Sequence, residues 1–286
     1  MKNNGKLPPW LKRRLPANDA YDHTHHVIGS LGIETICTNA NCPNKGLCWE
    51  ASTATVLILG NICTRNCKFC SVAHGKPAPP DPTEPKKVAA MAKQMSLKYL
   101  VITSVDRDDL QNGGAEQFAG VVTKCREENP NLKFELLVPD FKNCQDKAIS
   151  ILAKAMPFVF GHNIETVPPL YPIARPGGDY KISLKLLEKV KSAYTDVTTK
   201  SSIMLGLGEK EKDVIQSLKD LRNVNCDRIA IGQYLRPTKQ SLEVIEYIEP
   251  EKFDWWKQKA YDLGFKWVMS SPFTRSSYNA HLQNTE

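Results

Sequence analysis

Six of the nine cysteines fall between Cys37 and Cys70, and they form two triads. Cys63, Cys67 and Cys70, in NICTRNCKFC, have the spacing C-x3-C-x2-C. Cys37, Cys42 and Cys48, in CTNANCPNKGLC, have the spacing C-x4-C-x5-C. Thiolates are soft ligands and hold iron–sulfur clusters, four being usual for a [4Fe–4S] cube. A triad leaves one iron open, and an open iron binds a small molecule through an amine and a carboxylate. Structural zinc is the alternative, although closed zinc sites favour four ligands, often as paired C-x2-C. An odd cysteine count without a secretory signal argues against a disulfide framework. Cys125, Cys144 and Cys226 have no partner spacing; Cys125 falls on an apolar helix face, where a buried thiol is ordinary. His23, His25 and His26 lack matching cysteines and read as a polar loop rather than a zinc site.

The elements that must position these residues alternate. Residues 1–54 contain no long periodic segment and read as a loop-rich N-terminal extension carrying the first triad. TVLILG (55–60) is a continuous apolar run, the pattern of a buried strand, and the second triad follows it directly. Further strands are expected at YLVITS (99–104), FELLVP (134–139), FVFGHNI (158–164), Ser201–Leu205 and RIAIGQYL (228–235), with a weaker one near Lys266–Met269. Helices are expected between them: from a Thr83 cap to about Leu97, then 115–128, 145–155, 181–194, 209–222 and 251–263. Strands alternating with helices of this length mean βαβ units and a parallel sheet. Six strong units and a weak seventh strand fall short of the eight of a full TIM barrel. The expected fold class is therefore α/β, a partial (β/α)6 TIM-like barrel over residues 55–270.

With 41% hydrophobic and 24% charged residues among 286, the composition is that of a globular chain and excludes wholesale disorder. No apolar run approaches the roughly 18 residues of a membrane span. MKNNGKLPPWLKRRLP lacks the apolar stretch of a signal peptide, and a cytoplasmic location is expected. The net charge is +7. Lys2, Lys6, Lys12, Arg13 and Arg14 supply most of it, too narrow a source for a nucleic-acid face. This basic arm is either solvated or docks on an acidic partner.

The C-x3-C-x2-C loop, with Phe69 before its last cysteine and a strand before its first, resembles the signature of radical S-adenosylmethionine (SAM) enzymes. The N-terminal triad, with Pro43, Asn44 and Trp49 in place, resembles the auxiliary-cluster motif of the lipoyl synthase family. Matches continue in the same order through TSVDRDDL (103–110), GGA (113–115), HNIETV (162–167), MLGLGE (204–209), IGQYLRPT (231–238) and FTRSSYNA (273–280). The resemblance covers roughly residues 34–282. Pro168-Pro169, Lys210 and Asn279 depart from the family's usual basic residue, Thr and His; none of them replaces an expected ligand. Biotin synthase, another radical SAM enzyme, lacks the N-terminal triad.

The resemblance implies a sulfurtransferase that inserts sulfur at C6 and C8 of an octanoyl chain amide-linked to a carrier-protein lysine, the final step of lipoate biosynthesis. It implies two [4Fe–4S] clusters and two SAM molecules per lipoyl group. The cluster on Cys63, Cys67 and Cys70 cleaves SAM to a 5′-deoxyadenosyl radical, and the cluster on Cys37, Cys42 and Cys48 donates the sulfur. A C-terminal tail, residues 271–286, folds back onto the extension so that Ser277 of RSSY binds the auxiliary cluster, with Arg275 holding the tail. Polar groups at strand ends are candidates for SAM: Ser104, Asp106, Asn163, Glu165, Lys200, Gly206, Gly208, Glu209 and Gln233. For Asp106, Asp109 and Glu209 the alternative is a local loop or helix cap. Arg175 either binds a carboxylate or anchors a loop. The implied partners are an octanoylated glycine-cleavage H protein or acyltransferase lipoyl domain, and an electron donor such as ferredoxin or flavodoxin; no nucleic acid and no membrane are expected. The competing classes are a zinc-stabilised binding module and a two-cluster electron carrier. The electron carrier leaves the barrel unexplained.

Overall fold

A computed structural model describes residues 7–13 and 18–284. Lys2, Lys6 and Arg14 of the basic arm lie outside the described residues. The strands are β1 (Thr55–Ile58), β2 (Ile62–Cys63), β3 (Ala73–His74), β4 (Tyr99–Ser104), β5 (Lys133–Leu137), β6 (Val159–Gly161), β7 (Thr198–Leu205), β8 (Arg228–Gln233) and β9 (Trp267–Ser271). Seven form a sheet in the order β1-β4-β5-β6-β7-β8-β9, and the short β2 and β3 pair separately. The ladders β1·β4, β4·β5, β7·β8 and β8·β9 are all parallel. Strands that neighbour one another in chain order, joined through helices, are the winding of a partial TIM-like barrel, as expected. The weak seventh strand is a full member: β9 pairs with β8 from Arg228–Trp267 to Gly232–Ser271.

The helices are α1 (Asp19–Ser30), α2 (Ile36–Asn39), α3 (Lys45–Glu50), α4 (Glu84–Gln94), α5 (Ala115–Glu128), α6 (Gln145–Leu152), α7 (Tyr171–Ala174), α8 (Tyr180–Ala193), α9 (Glu211–Asn223) and α10 (Pro250–Asp262). Of the described residues, one compact unit takes 18–65, 72–160 and 279–284; the other takes 7–13, 66–71 and 161–278.

In the first unit, β1 is buried at all four positions, and α4 and α5 bury Val88, Met91, Phe118, Val121 and Val122. The Thr83 side chain does not cap α4. Asp81 instead fixes the turn that leads into the helix, accepting from the Thr83 amide at 2.8 Å and its hydroxyl at 2.6 Å. The N-terminal extension is more helical than its sequence suggests. Asn18 caps the 12-residue α1 by accepting from Tyr21 N, and Thr24, Val27 and Ile28 form its buried stripe. His23, His25 and His26 therefore stand on a helix and not in a polar loop. Three buried positions at i, i+3 and i+4 carry the signal for this helix, but polar neighbours dilute it. The hydroxyl of Thr24 donates to the Trp49 carbonyl at 3.0 Å, tying α1 to α3.

In the second unit, Asp179 caps α8 by accepting from the amides of Lys181 and Ile182. The helices bury Leu186, Leu187 and Val190 on α8, Val214, Leu218 and Leu221 on α9, and Phe253 and Trp256 on α10. Asp227 accepts from Lys191 and Lys266, each at 2.8 Å, and from the Thr199 amide at 3.0 Å, bracing the starts of β7 and β8.

Candidate active site: two cysteine triads and the strand ends

All nine cysteines are thiols rather than disulfides. Burial pushes the Cys125 and Cys226 thiols up to about 12 each, as expected of inert core cysteines. Cys144 stands at the N-terminal cap position of α6.

The first triad lies wholly in the first unit. Thr35 caps α2, which carries Cys37, and α3 carries Cys48. Between them the chain turns through Asn41 at φ 47°, and the Cys42 amide donates to the Cys37 carbonyl at 3.1 Å. The Thr53 amide and hydroxyl both donate to the Cys48 carbonyl, at 2.8 and 2.9 Å. The Leu57 amide donates to the Glu34 carbonyl, docking this segment on β1. The three thiols are not equivalent. Cys37 is buried, while Cys42 and Cys48 are half-buried. Burial, helped by nearby Cys42, pushes the Cys37 thiol up to about 11. The Thr55 backbone and the Trp49 indole act in the opposite direction. Trp49 is buried beside Tyr21 and His25, at ring separations of 5.5 and 5.8 Å, with Lys45 Nζ 4.4 Å from its ring centre. Its Nε1 is buried without a closed hydrogen bond among the described residues.

The second triad is shared along the chain. In the first unit, Cys63 ends β2, and its carbonyl accepts from Gly75 N at 2.9 Å. Its Sγ accepts from the Arg65 amide at 3.4 Å and lies 3.7 Å from Asp106 Oδ2. In the second unit, the Cys70 amide donates to the Cys67 carbonyl at 3.1 Å. Between them, Lys68 N donates to Ala174 O at 2.8 Å, and Lys68 O accepts from Leu242 N at 2.9 Å. Phe69 packs on the cluster of Leu207, Tyr234 and Val244. Among the described residues no three His, Cys, Asp or Glu side chains converge on a single-ion position. A four-iron cube makes a looser demand, one thiolate on each iron.

The strand-end candidates divide into two kinds. Ser104 ends β4, and its Oγ is buried without a partner among the described residues. Asn163 follows β6 and has a similarly isolated Oδ1; its Nδ2 donates to Glu165 Oε1 at 3.1 Å. Glu165 is held at φ 66°, a left-handed conformation unusual for a non-glycine residue. Leaving a buried acceptor unpaired costs about 1–3 kcal/mol, so Ser104 and Asn163 suit an incoming polar ligand. Asp106 lies beside Cys63 and within 3.4 Å of Arg65.

The other candidates are engaged within the protein. Glu209 accepts from the amides of Gly206 at 2.6 Å and Leu207 at 2.9 Å, closing its own turn; burial raises its carboxyl above the usual range. Gln233 donates to the carbonyls of Leu205, Tyr234 and Glu246 and accepts from Ile248 N, clamping the 246–248 segment. Gly206 is needed there: at φ 103°, its added Cβ would stand 2.3 Å from Gln233 Nε2 and 2.5 Å from the Glu246 carbonyl. Fully buried Lys200 donates to the Ser276 carbonyl at 2.6 Å, so it holds the RSSY tail. Arg175 is buried and donates to the Asn163 carbonyl at 3.1 Å, bracing HNIE from behind.

In the tail, Arg275 Nη1 donates to the Thr274 carbonyl at 2.7 Å. Ser276 is buried with an Oγ that has no partner among the described residues, and Ser277 is half-buried. Gly232 admits this tail, because an added Cβ would meet the Thr274 carbonyl oxygen at 2.0 Å. The Arg13 guanidinium of the basic arm stacks 3.7 Å from the centre of the Phe273 ring in the same unit, so this arginine is not a freely solvated one. Within the tail, residues 279–284 belong to the unit that carries the first triad, whereas the residues up to Tyr278 belong to the other.

Sequence reasoning did not find the buried pairing of Arg65 with Asp108 and Asp140. An arginine inside the cysteine loop and aspartates after two successive strands were its visible signals.

Comparison with known proteins extends these observations. A family model described as "Radical SAM superfamily" matches residues 57–221. The chain is 48% identical over 279 residues to lipoyl synthase of Tolumonas auensis, covering 97% of this chain and 87% of that protein. It is 49% identical over 275 residues to lipoyl synthase of Caldicellulosiruptor saccharolyticus, covering 96% of each. Among solved structures, Streptococcus suis SuiB bound to S-adenosylmethionine matches at a TM-score of 0.59 with 12% identity, over 74% of this chain and 48% of that one. Methylornithine synthase matches at 0.54 with 13% identity, over 74% and 70%. These two likenesses concern the fold.

Proposed function

Because this chain belongs to the lipoyl synthase family of the radical SAM superfamily, we propose that it inserts sulfur at C6 and C8 of an octanoyl chain borne on a carrier-protein lysine. The observation that carries this reading is the pair of cysteine triads, each set in its own framework, within a chain 48% identical to lipoyl synthase. As in the family, the cofactors are SAM and two [4Fe–4S] clusters. When bound, they supply one-electron cleavage of SAM and removal of hydrogen from saturated carbon, which side-chain acids and bases near neutral pH do not achieve.

The residues divide the work. Cys63, Cys67 and Cys70 would hold the SAM-cleaving cluster by three thiolates. Ser104 and Asn163, whose buried oxygens lack partners among the described residues, hydrogen-bond its polar parts. Asp106, beside Cys63, and Glu165, after β6, supply carboxylates, and Gly206 and Gly208 let backbone approach closely. Glu209, Gln233 and Lys200 act behind this layer, holding the turn, the 246–248 segment and the tail. Cys37, Cys42 and Cys48 hold the auxiliary cluster, the sulfur donor, and Ser277 completes it. Serine oxygen is a harder ligand than thiolate, which suits a cluster that must open. Arg275 steadies the tail.

The substrate is protein-bound. The carrier is a glycine-cleavage H protein or an acyltransferase lipoyl domain, with ferredoxin or flavodoxin as electron donor, in the cytoplasm. Among the described residues no helix is long and apolar enough to cross a membrane. The test is anaerobic reconstitution followed by addition of octanoylated carrier, SAM and a reductant. About eight irons and eight sulfides per chain, 5′-deoxyadenosine and lipoylated carrier are expected. Iron-free protein, or no 5′-deoxyadenosine, contradicts the reading. Free octanoic acid turned over as well as the octanoylated carrier contradicts its docking part.

A further inference from the structure

Arg65 lies between the first two cysteines of the SAM-cleaving loop and is 6% exposed. Its Nε and Nη2 donate to the two oxygens of Asp108, both at 2.7 Å. Its Nη1 and Nη2 donate to the two oxygens of Asp140, both at 2.7 Å. Nη1 also lies 3.4 Å from Asp106 Oδ1. A guanidinium has five N–H donors fixed in one plane; four are engaged by these two forks, and the fifth, on Nη1, faces Asp106 without closing a hydrogen bond to Oδ1. Arg65 therefore has no free pair of donors with which to grip a ligand carboxylate bidentately, which is the role an arginine in a cofactor loop usually suggests. Burial works against its charge, but hydrogen bonds to Asp108 and Asp140 outweigh that and hold the guanidinium protonated.

The partners are themselves fixed. Asp140, completely buried after β5, accepts from Lys142 N at 3.1 Å, and its carbonyl accepts from Gln145 Nε2 at 3.0 Å. Asp108 follows β4, and its amide donates to Thr64 Oγ1 at 3.1 Å. The Thr64 amide and hydroxyl donate to the Asp106 carbonyl at 3.1 and 2.9 Å. Two bidentate pairs and this backbone lattice thus tie Thr64–Arg65 to the ends of two adjacent strands. The Arg65 amide, held in place, points at Cys63 Sγ from 3.4 Å.

We propose that Arg65 is the positioning residue of the SAM-cleaving centre. Its double fork to Asp108 and Asp140 fixes the direction in which the chain leaves Cys63 for Cys67, and aims its own amide at the Cys63 sulfur. The proposal rests on the reading that this triad holds a cluster. Loops sit at the low-stability end of a fold, yet a ligand loop must present its thiolates in one arrangement. The clamp depends on planar geometry rather than on charge, so a lysine, a point charge with three donors, does not replace it.

The test compares the full-length wild type with Arg65→Lys, Asp108→Asn and Cys63→Ala, all reconstituted anaerobically. Iron and sulfide are counted, the reduced clusters are recorded by electron paramagnetic resonance with and without SAM, and iron loss is timed after admission of air. Arg65→Lys is expected to lose iron from this centre about tenfold faster, the effect of roughly one charge-assisted hydrogen bond. Its spectrum should also respond heterogeneously to SAM, with the auxiliary cluster unchanged. Asp108→Asn, which keeps the Asp140 fork, is expected to show a smaller acceleration of about two- to threefold, and it decides the matter if Arg65→Lys does not fold. Wild-type lability and a wild-type SAM response in the folded variants overturn the clamp. Retention of all eight irons by Cys63→Ala overturns the underlying cluster assignment instead.

Discussion

The two cysteine triads are held by opposite means. Cys37 stands on the short α2 against β1 and Cys48 on α3, which packs under α1 with Trp49 buried beside Tyr21 and His25. Cys63 ends a two-residue strand, and the segment that follows is latched by the ion pairs of Arg65 and by single backbone bonds at Lys68. Apolar packing tolerates small adjustments, whereas bidentate pairs have one geometry. The contrast matches the proposed division of labour. In that division Cys63, Cys67 and Cys70 would hold a cluster that is kept from cycle to cycle, and Cys37, Cys42 and Cys48 one that supplies sulfide.

The comparison is broken most sharply by removing ligands. Cys63→Ala is expected to abolish SAM cleavage while leaving about four irons on the other triad. Cys42→Ala is expected to leave SAM cleavage intact and to stop sulfur insertion completely. Paired assays of 5′-deoxyadenosine and lipoyl product read both, and a Cys42→Ala enzyme that makes lipoyl groups over several turnovers would end the sacrificial-cluster account.

A smaller effect separates the two tail serines. Ser277→Cys is expected to keep an intact auxiliary cluster but to slow sulfur transfer by at least about tenfold, because a fourth thiolate holds its iron more firmly than an alkoxide. Ser276→Ala should be milder, since that residue's carbonyl, and not its hydroxyl, accepts from Lys200. Single-turnover product from both variants checks the assignment; normal transfer by Ser277→Cys with an inactive Ser276→Ala reverses it.

The smallest effect concerns Trp49. Trp49→Phe keeps an aromatic ring beside Tyr21 and His25 and removes the indole N–H that acts on the Cys37 thiol. Iron loss from the auxiliary cluster to a chelator is expected to be faster by about twofold, less than the roughly 1 kcal/mol of a closed hydrogen bond, because Nε1 closes none among the described residues. Unchanged release shows that only the ring matters.

Much of this architecture was legible in the sequence because strands buried on both faces read as continuous apolar runs. TVLI and RIAIGQ are buried throughout. The helices of the extension were less legible. α2 is four residues long and α3 six, too short to carry a period, and α1 hides a narrow stripe among histidines and aspartates. At the strand ends, residue type identified polar groups but not their partners. Glu209 and Gln233 resemble ligand contacts in sequence, yet the structure uses both to brace backbone. Arg65 shows the same limit from the other side: its role depends on Asp108 and Asp140, 43 and 75 residues away in sequence.

The division of labour is tested most directly by following sulfur from the auxiliary cluster. The enzyme is reconstituted with isotopically heavy sulfide, freed of excess, and given octanoylated carrier, SAM and reductant for a single turnover. Mass spectrometry of the carrier should then find both inserted sulfurs heavy and no more than one lipoyl group per chain. Light sulfur in the product, or several lipoyl groups per chain without added sulfide, contradicts the account.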